Sequence, residues 1–180
     1  GQVCISPSRF YIHESKKEQF AKLFVEKTLK LKIGNGMEKN VQLGPITTKK
    51  RLEEIEKLVE LTKKEGAEIL CGGKRPSGFN KGYFYEPTVF DNVQDNFKIM
   101  TEEPFGPLTP LLSFKKFDDV IAKANNQAAG LAGYVCTNSI ELANKTSESL
   151  ETGMVAVNTP FISNAETPFG GIKQSGYGRE

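Results

Sequence analysis

The stretch that decides the fold is Leu108-Thr109-Pro110-Leu111-Leu112-Ser113-Phe114, an apolar run typical of a buried strand. After it, the spacing of hydrophobic residues alternates between the helical and the strand period. The pattern predicts a helix over 117–126, a strand over 131–137, a helix over 139–150 and a last strand over 154–158. Strands that alternate with helices form a parallel sheet, because parallel neighbours need a long crossover connection. We therefore predict an α/β fold with an open, mostly parallel twisted sheet and flanking helices.

The first residues of the chain begin the same alternation. Residues 8–13 predict a strand. Ser15, followed three residues later by Glu18, has the pattern of a capping box, in which each side chain bonds the backbone N–H near the other. We therefore expect a helix that starts at Ser15 and runs to about Leu31.

A second helix is predicted after residue 46. Thr47 or Thr48 can cap it, and its apolar stripe consists of Leu52, Ile55, Leu58, Val59 and Thr62. Further along, residues 83–93 resemble a strand, with Pro87 marking an edge or a bend because proline has no N–H for a ladder.

Composition bounds the class of protein. A chain of 180 residues that is 38% hydrophobic suits one compact domain, so we assign residues 1–180 to a single domain. The net charge of +2 argues against nucleic acid as a partner, since binders of nucleic acid carry a clear basic excess. We expect no membrane association, because no apolar run is long enough to span a bilayer.

Cysteine and histidine usage narrows the chemistry. Three cysteines and one histidine are too few, at these spacings, for a metal site, so we expect none. The odd cysteine count favours a reducing compartment, and we expect a cytoplasmic location. Cys4 lies in a small, turn-prone segment where a thiolate can be exposed, whereas Cys71 and Cys136 lie among apolar neighbours and are expected in the core. A thiol hydrolase that uses Cys4 with His13 as base is an alternative, although His13 ends the predicted strand and reaching Cys4 would be awkward.

Two further segments contain residues that could bind a ligand. Residues 102–107, Glu-Glu-Pro-Phe-Gly-Pro, place two carboxylates before a rigid turn, and such a carboxylate can accept hydrogen bonds from sugar hydroxyls. Residues 168–180, Pro-Phe-Gly-Gly-Ile-Lys-Gln-Ser-Gly-Tyr-Gly-Arg-Glu, are rich in glycine but follow no strand-to-helix pattern, so they do not indicate a nucleotide cradle.

Together with Gly1-Gln2-Val3-Cys4 and Arg9, these segments are more specific than any one alone. Their order and spacing resemble the carboxy-terminal half of the NAD(P)-dependent aldehyde dehydrogenase superfamily. Leu43-Gly44-Pro45 and the segment 153–158 are further landmarks, and the resemblance covers the chain from end to end.

The resemblance implies roles for individual residues. It makes Cys4 the nucleophile that attacks the aldehyde, with its own backbone N–H as one donor to the oxyanion. It makes Glu103 the carboxylate that bonds the nicotinamide ribose and places Phe105 beside the pocket of the nicotinamide ring. Phe169 falls where the family has an aromatic residue in the substrate tunnel.

The substrate is suggested by residues 158–169, which look most like the succinate-semialdehyde dehydrogenase branch. There, Ser163 could donate a hydrogen bond to the distal carboxylate of a semialdehyde. Ser6 stands where some members of that branch carry a second cysteine, so no disulfide switch is expected.

The resemblance also implies what these residues lack. The family's oxyanion amide, its general-base glutamate and most of its NAD or NADP site lie before the cysteine, in an amino-terminal half that this chain does not include. We therefore expect a piece of a longer protein that is inactive alone. We expect the full-length enzyme to be a homo-oligomer, a dimer or tetramer. A non-catalytic assembly domain that packs through residues 131–158 is the other alternative.

Overall fold

The computed structural model describes all of residues 1–180. Its elements in chain order are β1 (Phe10–His13), α1 (Glu14–Leu29), α2 (Lys49–Lys64), β2 (Glu68–Cys71), β3 (Thr88–Asp91), α3 (Lys98–Thr101), β4 (Leu108–Phe114), α4 (Phe117–Asn125), β5 (Ala129–Gly130), β6 (Ala132–Val135), α5 (Ile140–Ser149), β7 (Met154–Val157) and β8 (Ile172–Lys173). Contacts divide the chain into two compact units. Unit 1 comprises residues 1–2 and 8–114, and unit 2 comprises residues 3–7 and 115–180.

Unit 1 is built on a four-stranded sheet in the order β1-β4-β3-β2. The apolar run at 108–114 is the central strand β4, which pairs in parallel with both β1 and β3. Only β2, at the edge, is antiparallel to its neighbour β3. The α/β fold with an open, mostly parallel sheet and flanking helices is confirmed.

A proline lies inside this central strand. Pro110 is fully buried, although proline is normally confined to sheet edges because it cannot donate to a ladder. The register explains why it is tolerated. Pairing of β4 with β3 runs from Leu108 to Pro110, and pairing with β1 begins at Leu111. The proline therefore lies where β4 changes its hydrogen-bonded neighbour.

Helix α2 covers one face of this sheet, and Thr48 is the one of the two predicted cap residues that caps it. The Thr48 side chain accepts a hydrogen bond from the Arg51 N–H at 3.1 Å. Four residues of the predicted stripe are buried and Leu58 packs beside them, in a core with strand and loop residues. The members buried are Leu52, Ile55, Val59 and Thr62.

The start of α1 differs from the prediction. The cap is His13, whose Nδ1 accepts from the Ser15 N–H at 3.4 Å and lies 2.9 Å from the Ser15 hydroxyl. Its ring also packs edge-on against Phe114 at 5.4 Å. The helix therefore begins at Glu14, and Ser15 lies in its first turn, so the capping box expected from Ser15 and Glu18 is wrong.

The strand predicted over 83–93 is shorter than expected. Only Thr88–Asp91 forms β3, and the segment before Pro87 is irregular. Pro87 has no N–H to donate to a ladder, which explains why the ladder starts after it. Phe84 and Tyr85 are nevertheless buried, so their apolar signal came from packing and not from a strand.

Unit 2 contains two small sheets and two helices. Strands β6 and β7 pair in parallel, with α5 between them in sequence and the Ser139 hydroxyl capping that helix. The strand predicted as last, β7, is followed by β8, which pairs antiparallel to β5 through two residues on each side. A pairing that short leaves no periodic signal in the sequence.

The two cysteines expected in the core differ from each other. Cys71 is half-buried at the end of β2, and burial raises the pKa of its thiol. Cys136 is exposed just after β6, so its assignment to the core is wrong. The strand predicted over 131–137 ends at Val135, and Cys136 lies just beyond it.

Candidate functional site

Cys4 lies in a turn of unit 2 that presents its thiol to solvent. The turn is closed by the Ser6 N–H, which donates to the Val3 carbonyl at 2.9 Å. The hydroxyl of Tyr134, on β6, donates to the Ile5 carbonyl at 2.6 Å. Burial, and after it the electrostatic influence of Cys4, raises the pKa of the Tyr134 hydroxyl. A strand side chain thus fixes the backbone that carries the candidate nucleophile.

Glu103 and Phe105 lie together on one turn of unit 1. Both adjacent carboxylates are exposed, and Glu102 pairs with Lys98 at 2.8 Å. The Phe105 ring is half-buried, and its backbone has φ of +40°, in the left-handed region. An accessible carboxylate beside a half-exposed aromatic face suits a ribose hydroxyl and a flat ring, so these residues fit the group that the resemblance implies.

The turn is held against α2 by Arg51. Its guanidinium donates to the carbonyl oxygens of Glu103, Pro104 and Phe105 at 3.4, 2.9 and 3.3 Å. Packing is close here as well, since a Cβ on Gly106 would lie 2.6 Å from Cδ1 of Ile55. The sequence suggested only an apolar stripe on α2, and nothing in it indicated this role for Arg51.

Gln2 is a second residue whose role the sequence did not indicate. Its side-chain oxygen accepts from both the N–H and the hydroxyl of Thr47, at 3.0 and 2.9 Å, and its Nε2 donates to the Pro45 carbonyl at 3.3 Å. Gln2 therefore holds the loop that leads into α2. The motif residues Gly-Gln and Leu-Gly-Pro, distant in sequence, meet at this point.

Phe169 belongs to unit 2 and is tied to the end of the chain. Phe169 and Glu180 exchange two backbone hydrogen bonds, each of 2.9 Å. The backbone at Gly153 approaches the backbone at Gly170 so closely that only glycine fits, since a Cβ on Gly153 would lie 1.9 Å from the Gly170 oxygen. Arg179 adds a bond to the Gly171 carbonyl at 2.9 Å. The glycine-rich segment therefore folds back on itself and leaves the Phe169 ring half-exposed.

Ser163 lies in the irregular loop before Phe169. It is exposed, while the preceding Ile162 is buried and anchors the loop. The Asn164 side chain accepts from the N–H groups of Glu166 and Thr167 at 3.1 and 3.0 Å, so a local turn follows directly. The Ser163 hydroxyl is thus accessible on an anchored loop.

Three other features bear on function: the ring of His13, the arrangement of potential metal ligands and the length of the helices. His13, the base of the hydrolase alternative, already uses Nδ1 to cap α1. No group of three or more histidine, cysteine, aspartate or glutamate side chains is arranged to hold a metal ion. None of the helices is both long and apolar enough to cross a membrane.

Comparisons with known proteins agree with the motifs. The model of the aldehyde dehydrogenase family matches residues 1–180. Aldehyde dehydrogenase 1A1 of Bos taurus is 45% identical over 180 residues, which are 100% of this chain and 36% of that protein. The mitochondrial succinate-semialdehyde dehydrogenase of Oryza sativa subsp. japonica is 43% identical over 181 residues, covering 100% of this chain and 34% of that protein.

Solved structures extend the likeness to the backbone. The NAD+ complex of an aldehyde dehydrogenase from Bacillus cereus is 41% identical, with a TM-score of 0.95 over 99% of this chain and 36% of that one. The chain thus spans about a third of the length of the relatives it matches. With a family match over every residue and a backbone this similar, the chain belongs to the aldehyde dehydrogenase family.

Proposed function

We propose that this chain carries the nucleophile and part of the cofactor site of an enzyme that oxidises an aldehyde to a carboxylic acid with NAD or NADP. The observation that carries the proposal is Cys4, an exposed thiol on a turn that the Tyr134 hydroxyl holds by its backbone. Family membership supports the reaction class, and the NAD+ complex of the Bacillus cereus relative supports use of a nicotinamide cofactor.

In the proposed reaction, the Cys4 thiolate adds to the carbonyl carbon and the carbonyl oxygen takes the negative charge. The N–H of Cys4 donates to that oxyanion, where a fixed donor is worth more than water. A bound nicotinamide supplies a hydride acceptor. Loss of hydride from the former carbonyl carbon leaves a thioester on Cys4. Water then cleaves the thioester, which releases the acid and restores the thiol.

Glu103 and Phe105 are the proposed cofactor residues on this chain. The exposed carboxylate of Glu103 accepts hydrogen bonds from ribose hydroxyls, and the half-buried Phe105 ring lies beside the nicotinamide. Most of the NAD or NADP site is expected in residues of the full-length protein outside this chain. The full-length protein is proposed to be a cytoplasmic homo-oligomer, a dimer or tetramer.

A small-molecule semialdehyde such as succinate semialdehyde is the proposed substrate. The accessible Ser163 hydroxyl supports it, since a hydroxyl can donate to a distal carboxylate, and Phe169 lines the approach to Cys4 in this proposal. Among the relatives, the Oryza sativa protein is named for succinate semialdehyde, while the similarly close Bos taurus protein is not. Overall sequence identity therefore does not distinguish between the possible substrates. The proposed substrate rests on the loop that contains Ser163.

Replacing Cys4 in the full-length protein tests the reaction. Because serine is a far weaker nucleophile at neutral pH, Cys4→Ser should lower kcat for aldehyde oxidation by at least about a thousandfold. Cys136→Ser is the matched control, because Cys136 is the other exposed cysteine and should leave kcat unchanged. An active Cys4→Ser protein, or an inactive Cys136→Ser protein, would contradict the role given to Cys4.

A further inference from the structure

Arg51 makes an unusual set of contacts for a residue near the start of a helix. Its Nε donates to the Phe105 carbonyl at 3.3 Å, and one terminal nitrogen donates to the carbonyls of Pro104 and Glu103 at 2.9 and 3.4 Å. Its guanidinium carbon also lies 5.9 Å from the centre of the Phe105 ring. Three consecutive carbonyl oxygens of one turn thus converge on one side chain.

The turn needs such a partner for two physical reasons. Three carbonyl oxygens that point to one place repel each other unless a cation lies among them. In addition, Phe105 has φ of +40°. Residues other than glycine adopt this left-handed backbone conformation only at a cost in free energy. Arg51 supplies the charge and the hydrogen bonds that keep this conformation populated.

The guanidinium is itself held in place. Its other terminal nitrogen pairs with Glu54 at 2.7 Å, and this hydrogen bond lowers the pKa of the Glu54 carboxyl. Arg51 is 28% exposed, so part of the arrangement is shielded from water. Lysine offers a compact charge and no planar fork, so it cannot reproduce bonds from both Nε and a terminal nitrogen.

Helix α2 has other contacts that hold it in position. Its buried residues Leu52, Ile55 and Val59 pack into the core of unit 1, and Thr48 caps it. The helix thus has several other contacts that hold it, whereas these hydrogen bonds are the ones that the turn receives from Arg51. The turn is where the proposed cofactor residues Glu103 and Phe105 lie.

We infer that Arg51 is a positioning residue that presets the Glu103–Phe105 turn for binding the nicotinamide cofactor. This inference rests on the proposed function. Arg51 of α2 then affects cofactor affinity through the three backbone carbonyls that it binds.

The test uses Arg51→Gln and Arg51→Lys in the full-length protein. The control is Arg75→Gln, which removes a bidentate ion pair with Glu56 of α2, at 2.6 and 2.8 Å, without touching the turn. Binding of NAD+ and of NADP+ is measured by calorimetry without aldehyde. Hydrogen exchange is measured in the cofactor-free protein at three turn amides, the N–H groups of Glu102, Thr88 and Leu108, which donate to the carbonyls of Lys98, Pro107 and Gly106 at 3.0, 2.8 and 2.8 Å.

We expect Arg51→Gln to weaken binding of the preferred cofactor by about tenfold, since charge-assisted hydrogen bonds to the turn are lost. Exchange at the three turn amides should rise, Arg51→Lys should restore affinity only in part, and KM for the aldehyde should stay constant. Arg75→Gln should match the unchanged protein.

Three results would overturn the inference. One is unchanged affinity in both Arg51 variants. Another is weakened affinity with unchanged exchange, which would mean that Arg51 acts on the cofactor and not through the turn. The third is an equal loss in Arg75→Gln. If the unchanged protein bound neither NAD+ nor NADP+, the proposed function itself would fail, which is distinguishable from each of these.

Discussion

At the scale of single residues, the proposed preference for semialdehydes depends on Ser163. Its hydroxyl is exposed on a loop anchored by Ile162, and it has room to donate to a carboxylate. Removing a hydrogen bond to a charged group should raise KM for a semialdehyde acid by about tenfold in Ser163→Ala. KM for a neutral aldehyde of similar length should change little. Steady-state kinetics on both substrates in the full-length protein measure the difference.

The matched control for that prediction is Ser163→Thr, which keeps the hydroxyl. It should retain the preference for the charged substrate, whereas Ser163→Ala should lose it. Equal changes in KM for charged and neutral aldehydes would rule out the carboxylate role and would leave Ser163 as an ordinary loop residue.

Sequence alone could suggest the residues with chemistry but not those that hold them. Cys4, Glu103 and Phe169 stand in motifs, so their identity and spacing are visible along the chain. Arg51 and Tyr134 act through hydrogen bonds to backbone carbonyls. Every residue has such a carbonyl, so the sequence does not show which ones will be bound. Such contacts depend on which turn the fold places beside them, and that is a tertiary property.

At the scale of elements, the cap of α2 is a testable contribution to stability. The Thr48 oxygen satisfies the Arg51 N–H, one of the donors that a helix start leaves without a partner. Thr48→Ala should therefore lower the free energy of unfolding by about 1 kcal/mol. Thr48→Ser keeps the accepting oxygen and should lose less. Urea unfolding followed by circular dichroism measures both, and equal losses would show that the cap contributes nothing.

Element boundaries were predictable where one local signal dominated. The strand at 108–114 was predicted at its observed ends, because a continuous apolar run with charged residues after it leaves little choice. The start of α1 was not, because His13 competes with Ser15 for the cap and the sequence does not decide between them. The strand β3 was overestimated because buried aromatic residues in an irregular segment have the composition of a strand.

At the scale of the whole molecule, the fold class followed from the alternation of strands and helices. The antiparallel edge β2 and the pair β5–β8 did not, because the direction of a short strand depends on the connections around it. Family membership followed from motifs spread over the full chain, which together are far more specific than any single one. Which atoms of the site meet depends on tertiary packing, which the motifs do not encode.

Residues 1–180 alone are expected to keep a reactive thiol but not to oxidise aldehydes. The chain covers 36% of the length of aldehyde dehydrogenase 1A1 from Bos taurus, so about two thirds of that relative has no counterpart in residues 1–180. We propose that the general base and the oxyanion amide belong to the part of the full-length protein outside these residues. A purified chain 1–180 should therefore react with iodoacetamide at Cys4, because that thiol is exposed, yet should not oxidise aldehydes. Mass spectrometry locates the alkylation, and aldehyde-dependent formation of reduced cofactor measures turnover. Turnover by the isolated chain at an enzyme's usual rate, roughly 1 per second or more, would show that the residues needed for hydride loss and thioester hydrolysis all lie within 1–180.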